Sequence, residues 1–233
     1  MKRIIKISLI LLLVGMAVIA AVPFFKEKRT ERKYENEFKN IQESVTEKKS
    51  DVNGLVKKNK DCIGYVEIPG TTISYPVMQT KDKPDFYLNH DFNRNYSFYG
   101  TPYLSAYCDV EKSDNLIIYG HNINGGKMFG ALEQYKDKEF FYKHRKIYFT
   151  TDKKREYEVF AVMSVNIHEF EYWKFVMARD AKEYDEFVDK VEEHSLWRQG
   201  NKPKYGEQML MLSTCDNGKG DDWRIVVIGK MVV

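Results

Sequence analysis

The stretch Met209-Leu210-Met211-Leu212-Ser213-Thr214-Cys215, followed after seven residues by Trp223-Arg224-Ile225-Val226-Val227-Ile228, decides the fold. The first run is apolar, alternates and reads as a strand. Asp216-Asn217-Gly218-Lys219-Gly220-Asp221-Asp222 is a turn, and the second run is the returning strand. A hairpin closed in this way sets Arg224 beside Cys215 where the strands meet the turn. A fixed cation favours the thiolate, and the thiolate is the nucleophilic form of cysteine. A lone cysteine is more commonly a small buried hydrophobe, so the rest of the chain has to decide between the two readings.

The chain has 233 residues, enough for one well-buried domain with appendages. Its sixteen Tyr and fourteen Phe suit a β-rich protein. Short strands are expected at 63–68, 72–78, 86–88, 101–105, 115–119, 146–150 and 156–166, with turn residues between them. Many short strands spaced in this way point to a closed barrel or sandwich. Residues 127–143 read as a mixed helical segment. Asp180–Trp197 is the clearest helix, with Tyr184, Phe187, Val188 and Val191 at i, i+3, i+4 and i+7, a capping-box-like Asp180 and Glu183, and Gly200 beyond its end. Both helices are expected on the outside of the strands.

The N-terminal part is different. Residues 7–25 carry no charge and follow Lys2, Arg3 and Lys6. Nineteen such residues can just span a bilayer. Their length and the basic flank Lys26, Lys28 and Arg29 favour a retained signal anchor over a cleaved signal peptide. From 26 to 60 the chain is charged, with Tyr34, Phe38, Ile41, Val45, Val52 and Leu55 forming one apolar stripe of a helix packed on the domain. The expected division is therefore an anchor at 1–25, a helical extension at 26–60 and a β-rich domain at 61–233. The formal charge of +3 is supplied by Lys2, Arg3 and Lys6, so residues 26–233 carry 34 basic and 34 acidic side chains. That balance gives no basic surface for a nucleic-acid partner.

The three cysteines form no CxxC pair, which suggests neither a disulfide framework nor a zinc site. Cys62 and Cys108 lie in apolar, strand-like surroundings and read as structural. Four of the five histidines, His90, His144, His168 and His194, sit among charged or turn residues and read as solvated. His121 differs: it follows the strand Asn115–Tyr119 and Gly120 and opens a loop with Asn122, Gly125 and Gly126. Strand ends leading into loops are where catalytic groups are commonly presented. Acyl transfer through a cysteine needs a thiolate, a proton donor for the leaving amine and a donor at the oxyanion. Cys215, His121 and Arg224 can fill those three roles.

Leu212-Ser213-Thr214-Cys215 resembles the LxTC signature of sortases, Tyr119-Gly120-His121-Asn122 their histidine motif, and Trp223–Val227 the strand that carries their arginine. Ile63–Thr71, Tyr75–Gln79, Tyr87–Asp91 and Ile117–Phe129 are similar to class B sortases in particular, so the resemblance runs from about Asp61 onward. It implies a mainly β fold: a closed eight-stranded barrel with an N-terminal helical extension and a long helix between the sixth and seventh strands. It further implies cleavage of an NPxTx-like sorting signal after its Thr, a thioester on Cys215, and transfer to an amino group of a peptidoglycan precursor. Carried over by position, Cys215 is the nucleophile, His121 the general acid and base, and Arg224 the oxyanion and substrate clamp. Ser213, Tyr119 and Asp216 are candidates for shaping the substrate groove, with Leu88 an apolar wall. No cofactor is implied and no metal-ligand set is visible. The expected partners are secreted proteins with a C-terminal sorting signal, the precursor amine, and a membrane through residues 7–25, with the catalytic domain outside the cell. Two rival readings use the same residues: a cysteine peptidase that only hydrolyses the signal, and a non-enzymatic β-domain that binds peptide or wall polymer.

Overall fold

A computed structural model describes residues 52–232 without a break, together with scattered positions between 12 and 39. The chain divides into two units, Met1–Ser44 and Val45–Val233. In the first, the described positions are helical. Among the described residues no helix is long and apolar enough to cross a membrane. The anchor read at 1–25 lies largely outside them, as do Tyr34, Phe38, Ile41 and Val45 of the extension. Val52 and Leu55 of the same stripe lie in helix α1 (Val52–Lys58), and both are buried.

The described residues of the second unit form eleven strands: β1 (Cys62–Glu67), β2 (Ser74–Met78), β3 (Tyr103–Leu104), β4 (Asn115–Tyr119), β5 (Asn122–Ile123), β6 (Lys127–Met128), β7 (Lys146–Thr150), β8 (Lys154–Asn166), β9 (Ser195–Arg198), β10 (Met209–Cys215) and β11 (Trp223–Met231). Eight of them run in the order β11-β10-β4-β3-β2-β1-β7-β8, and β8 pairs back onto β11, which closes the barrel. Closure leaves none of these eight with an open side along the ring. β10 lies parallel to β4 and antiparallel to β11. The first six residues of β10 are all buried, so it does not alternate as its sequence suggested. Its neighbours cover both edges, and the 3₁₀ segment Phe129–Lys136 packs against β10 and β11. A strand covered on both faces reads as a continuous apolar run.

Helix α2 (Ala181–Glu193) falls between the sixth and seventh barrel strands and buries Tyr184, Phe187, Val188 and Val191. The Asp180 carboxylate accepts from Glu183 N at 2.9 Å, the expected cap, whereas Glu183 Oε2 reaches Arg179 N rather than Asp180. The helix stops four residues before Trp197, because Ser195–Arg198 forms β9 on the edge of β8 beyond the reach of β7. Two other expectations need correction. Phe86–Asn89 is a 3₁₀ turn and not a strand: Leu88 N donates to Asp85 O at 3.0 Å, and Tyr87 is buried with its hydroxyl on Asp61. Three apolar residues are too short a run to separate one period from the other. His144 is not solvated. It is buried beside Phe140, and its Nδ1 bonds Pro69 O at 3.1 Å.

Candidate active site

β10 ends at Cys215 and β11 begins at Trp223, so the nucleophile candidate and Arg224 are cross-strand partners. Asp216 N donates to Trp223 O at 2.9 Å, which makes 216 and 223 a hydrogen-bonded position of the ladder. Positions 215 and 224 are then the non-hydrogen-bonded pair, the kind whose side chains stand closest. Arg224 Nη1 donates to Asp221 O at 2.6 Å and Trp223 O at 2.9 Å. No carboxylate pairs with Arg224 among the described residues, so its charge is not neutralised within the site.

His121 is placed by the neighbouring parallel strand. Ser213 pairs with Tyr119, Gly120 N donates to Ser213 O at 3.1 Å, and Thr214 Oγ1 donates to Gly120 O at 2.7 Å. The residue after Gly120 is therefore tied to the end of β10. Its imidazole Nε2 lies 2.9 Å from Leu88 O. A carbonyl only accepts, so Nε2 carries the proton and Nδ1 is left to exchange one. Burial lowers the His121 pKa below its ordinary 6.5, partly opposed by that bond to Leu88. The Phe98 ring lies nearly parallel to the imidazole, with centroids 6.4 Å apart.

Cys215, His121 and Arg224 line one groove of about 1000 Å³. Leu88, Tyr119 and Ser213 lie on its wall, as do Tyr103, Tyr107 and Trp173. Ser213 Oγ also bonds the buried Tyr172 hydroxyl at 2.7 Å. Asp216 is not on that wall. Its side chain is fully buried, with Oδ1 on Lys136 Nζ at 2.5 Å and Oδ2 accepting from Ser164 Oγ at 2.7 Å. Burial alone would raise its pKa, but the bonds from Lys136 and Ser164 outweigh that and hold the carboxyl below its ordinary 3.8. Sequence reasoning also missed Asn122, whose Nδ2 donates to Cys215 O and to Glu133 Oε1, both at 2.7 Å. Its place directly after His121 was the available signal. Nothing in the pattern of residues 127–143 marked Glu133 or Lys136.

A closed barrel with a cysteine and an unneutralised arginine facing each other at one mouth, and a histidine on the adjoining strand end, belongs to the class of cysteine transpeptidases. The sequence matches the family described as "Sortase domain" over residues 66–232. It is 32% identical to "Sortase B" of Listeria monocytogenes over 189 residues, which is 80% of this chain and 76% of that one. It is 28% identical to "Sortase B" of Staphylococcus aureus over 242 aligned positions, covering 100% and 98%. Among solved structures, a Staphylococcus aureus sortase B–substrate complex superposes with a TM-score of 0.79 at 25% identity, covering 87% of this chain and 97% of that one. Clostridium perfringens sortase B superposes with 0.72 at 28% identity, covering 78% and 99%. The chain belongs to the sortase family, on its class B branch.

Proposed function

We propose that this transpeptidase cleaves an NPxTx-like sorting signal after its Thr and passes the acyl group to an amine of a peptidoglycan precursor. The observation that carries the proposal is the pairing of Cys215 with Arg224 in the groove that His121 also lines. The Cys215 thiolate adds to the Thr carbonyl, and the Arg224 guanidinium donates to the oxygen as it gains charge. His121 gives its proton to the departing amine, the C–N bond breaks, and a thioester remains. The incoming amine adds to the thioester while His121 takes its proton. The thiolate leaves and the new amide is formed. Leu88, Tyr119 and Ser213 shape the groove for the signal; Asp216 acts from outside it. A groove of this size holds several residues of extended peptide, and a Staphylococcus aureus relative has been solved as a substrate complex.

Residues 7–25 serve as a retained anchor with residues 61–233 outside the cell, where secreted substrates and wall precursors meet. Their uncharged length and basic flanks support this. The test uses a peptide library incubated with the enzyme, with and without an added amine, and products read by mass spectrometry. Expected are new C-termini at Thr, amine-linked products, and no reaction in Cys215→Ala. Cleavage that never incorporates the amine would leave a peptidase only. Cells that carry the full-length gene and release into the medium an enzyme lacking residues 1–25 would show that the N-terminal segment is cleaved.

A further inference from the structure

We infer that Lys136 is a positioning residue that ties together the three chain segments carrying Cys215, His121 and Arg224. The inference rests on the roles proposed for those three residues. Lys136 ends the 3₁₀ segment behind the end of β10, and its ammonium bonds two carboxylates, Asp216 Oδ1 and Glu133 Oε2, each at 2.5 Å. From there two arms run into the site.

On one arm, Asp216 is the residue after the nucleophile and roots the β10–β11 turn. Its Oδ1 accepts from Gly218 N at 3.3 Å, and its carbonyl accepts from Lys219 N at 3.0 Å. The same turn offers Asp221 O to the Arg224 guanidinium. On the other arm, Glu133 Oε1 accepts from the Asn122 amide at 2.7 Å. Asn122 follows His121 in the chain and grips Cys215 O with the same nitrogen. Cys215 is thus held from both sides, through the next residue and through its own carbonyl, and both holds converge on one ammonium.

The bland account is that Lys136 only compensates the buried charge of Asp216. That account predicts a loss of stability and nothing specific to catalysis, because a single ion pair does not need to reach Asn122. The geometry predicts more. Reacting groups displaced by a fraction of an ångström to 1 Å lose on the order of tenfold to a hundredfold in rate, while groove walls that lie elsewhere keep their affinity for the peptide.

The experiment compares the wild type, Lys136→Met and Lys136→Arg by hydrogen exchange and by steady-state peptide cleavage, well below the melting temperature of each. In Lys136→Met, exchange should rise in both 120–129 and 216–223, and kcat should fall tenfold or more with KM within about twofold. Lys136→Arg, which keeps the charge and the donors, should recover most of kcat. The inference is overturned if exchange rises in one segment only or in neither, or if kcat is unchanged while stability alone falls. Should Lys136→Met not fold, Glu133→Ala cuts one arm at a half-buried side chain: exchange should then rise in 120–129 and not in 216–223, and an unchanged 120–129 segment overturns the inference. Exchange needs no substrate, so a wild type that cleaves no peptide counts against the proposed reaction and leaves the exchange result to decide the role of Lys136.

Discussion

Cys215 and Arg224 face each other across β10 and β11 without a backbone hydrogen bond between them, and the arginine is braced from behind by Asp221 O at 2.6 Å. The pairing brings a permanent cation to the groove that Cys215 also lines, and the bracing ties one guanidinium nitrogen to the turn. Lysine would keep the charge but lose the planar fork, with one terminal nitrogen spent on the turn and others left for the substrate. Arg224→Lys should therefore fold with an unchanged unfolding midpoint and lose on the order of 10²–10³ in kcat/KM on a sorting peptide. Turnover close to wild type would reduce Arg224 to a surface cation.

The three thiols should separate cleanly. Burial pushes the Cys62 thiol up to about 12 and the Cys108 thiol up to about 11, partly offset by the backbone of Gly64 at Cys62 and by the backbone of Ile117 and the Ser105 side chain at Cys108. Both are almost wholly covered, whereas Cys215 is only partly so. At pH 8 a neutral alkylating reagent should modify the folded protein once, at Cys215, because only thiolates react. Peptide mapping after a timed reaction checks this, and comparable labelling at Cys62 or Cys108 would contradict it.

The barrel and the three candidate residues were legible because they lie where the chain speaks locally. An apolar run ending in cysteine, a Gly-rich turn and a returning strand with arginine at its start fix a hairpin, and a hairpin fixes a register. Tyr119-Gly120-His121 likewise announces a strand end. What stayed hidden is what depends on long-range packing. Lys136 and Asp216 are 80 residues apart. No periodicity in either segment signals that the carboxylate turns away from the groove to meet the lysine. Adjacency to Cys215 suggests a place in the groove for Asp216, yet successive residues of a strand point to opposite faces. The end of α2 is not legible, because Leu196 and Trp197 continue an apolar pattern that the free edge of β8 captures as a strand.

Acid should reveal the Asp216 cluster. The folded carboxyl titrates below 3.8, so the folded state binds fewer protons there than the unfolded chain does. Its contribution to stability is then fully present above the unfolded value of about 3.9 and is lost as pH falls through the folded value. Asp216→Asn should be less stable than wild type at pH 7, and the gap between their urea midpoints should narrow below about pH 4. A gap of constant size from neutral to strongly acidic pH would show that the charge of Asp216 contributes nothing.

His121 is kept neutral mainly by burial, and Phe98 supplies part of the cover. Phe98 is itself largely exposed, at 69%, so its truncation leaves the core untouched. Phe98→Ala should hydrate the imidazole and move its titration upward, toward 6.5. The measurement is the pH dependence of the His121 ring signals by NMR in both proteins. A midpoint that stays where it was, or moves down, would mean that the bond to Leu88 and not the cover from Phe98 governs the ring. If activity requires thiolate and imidazolium together, Phe98→Ala should also shift the acid-side limb of kcat/KM upward, a limb that belongs to the coupled Cys215–His121 pair.

Gly120 tests whether the spacing between β4 and the buried Phe129 ring sets the position of His121. A Cβ at Gly120 would lie 2.8 Å from both Cγ and Cδ2 of Phe129, closer than such atoms pack. The ring is fully buried and cannot swing into solvent, and Phe129 N is bonded to His121 O at 2.9 Å. The strain in Gly120→Ala therefore has two outlets, the ring or the backbone of residues 120–121, and both move His121. Overpacking of this kind costs ~1–3 kcal/mol, which a barrel of this size should survive folded, so the variant should be soluble and native by circular dichroism while losing most of its kcat. Phe129→Ala removes Cγ and both Cδ atoms, the ones that a Cβ at Gly120 would meet. Combined with Gly120→Ala it should be more active than Gly120→Ala alone, a non-additive rescue that two independent lesions would not show. Steady-state rates and melting temperatures of the two single variants and the double variant decide the matter: a double variant no better than the product of its singles would mean that the Gly120–Phe129 contact does not control His121.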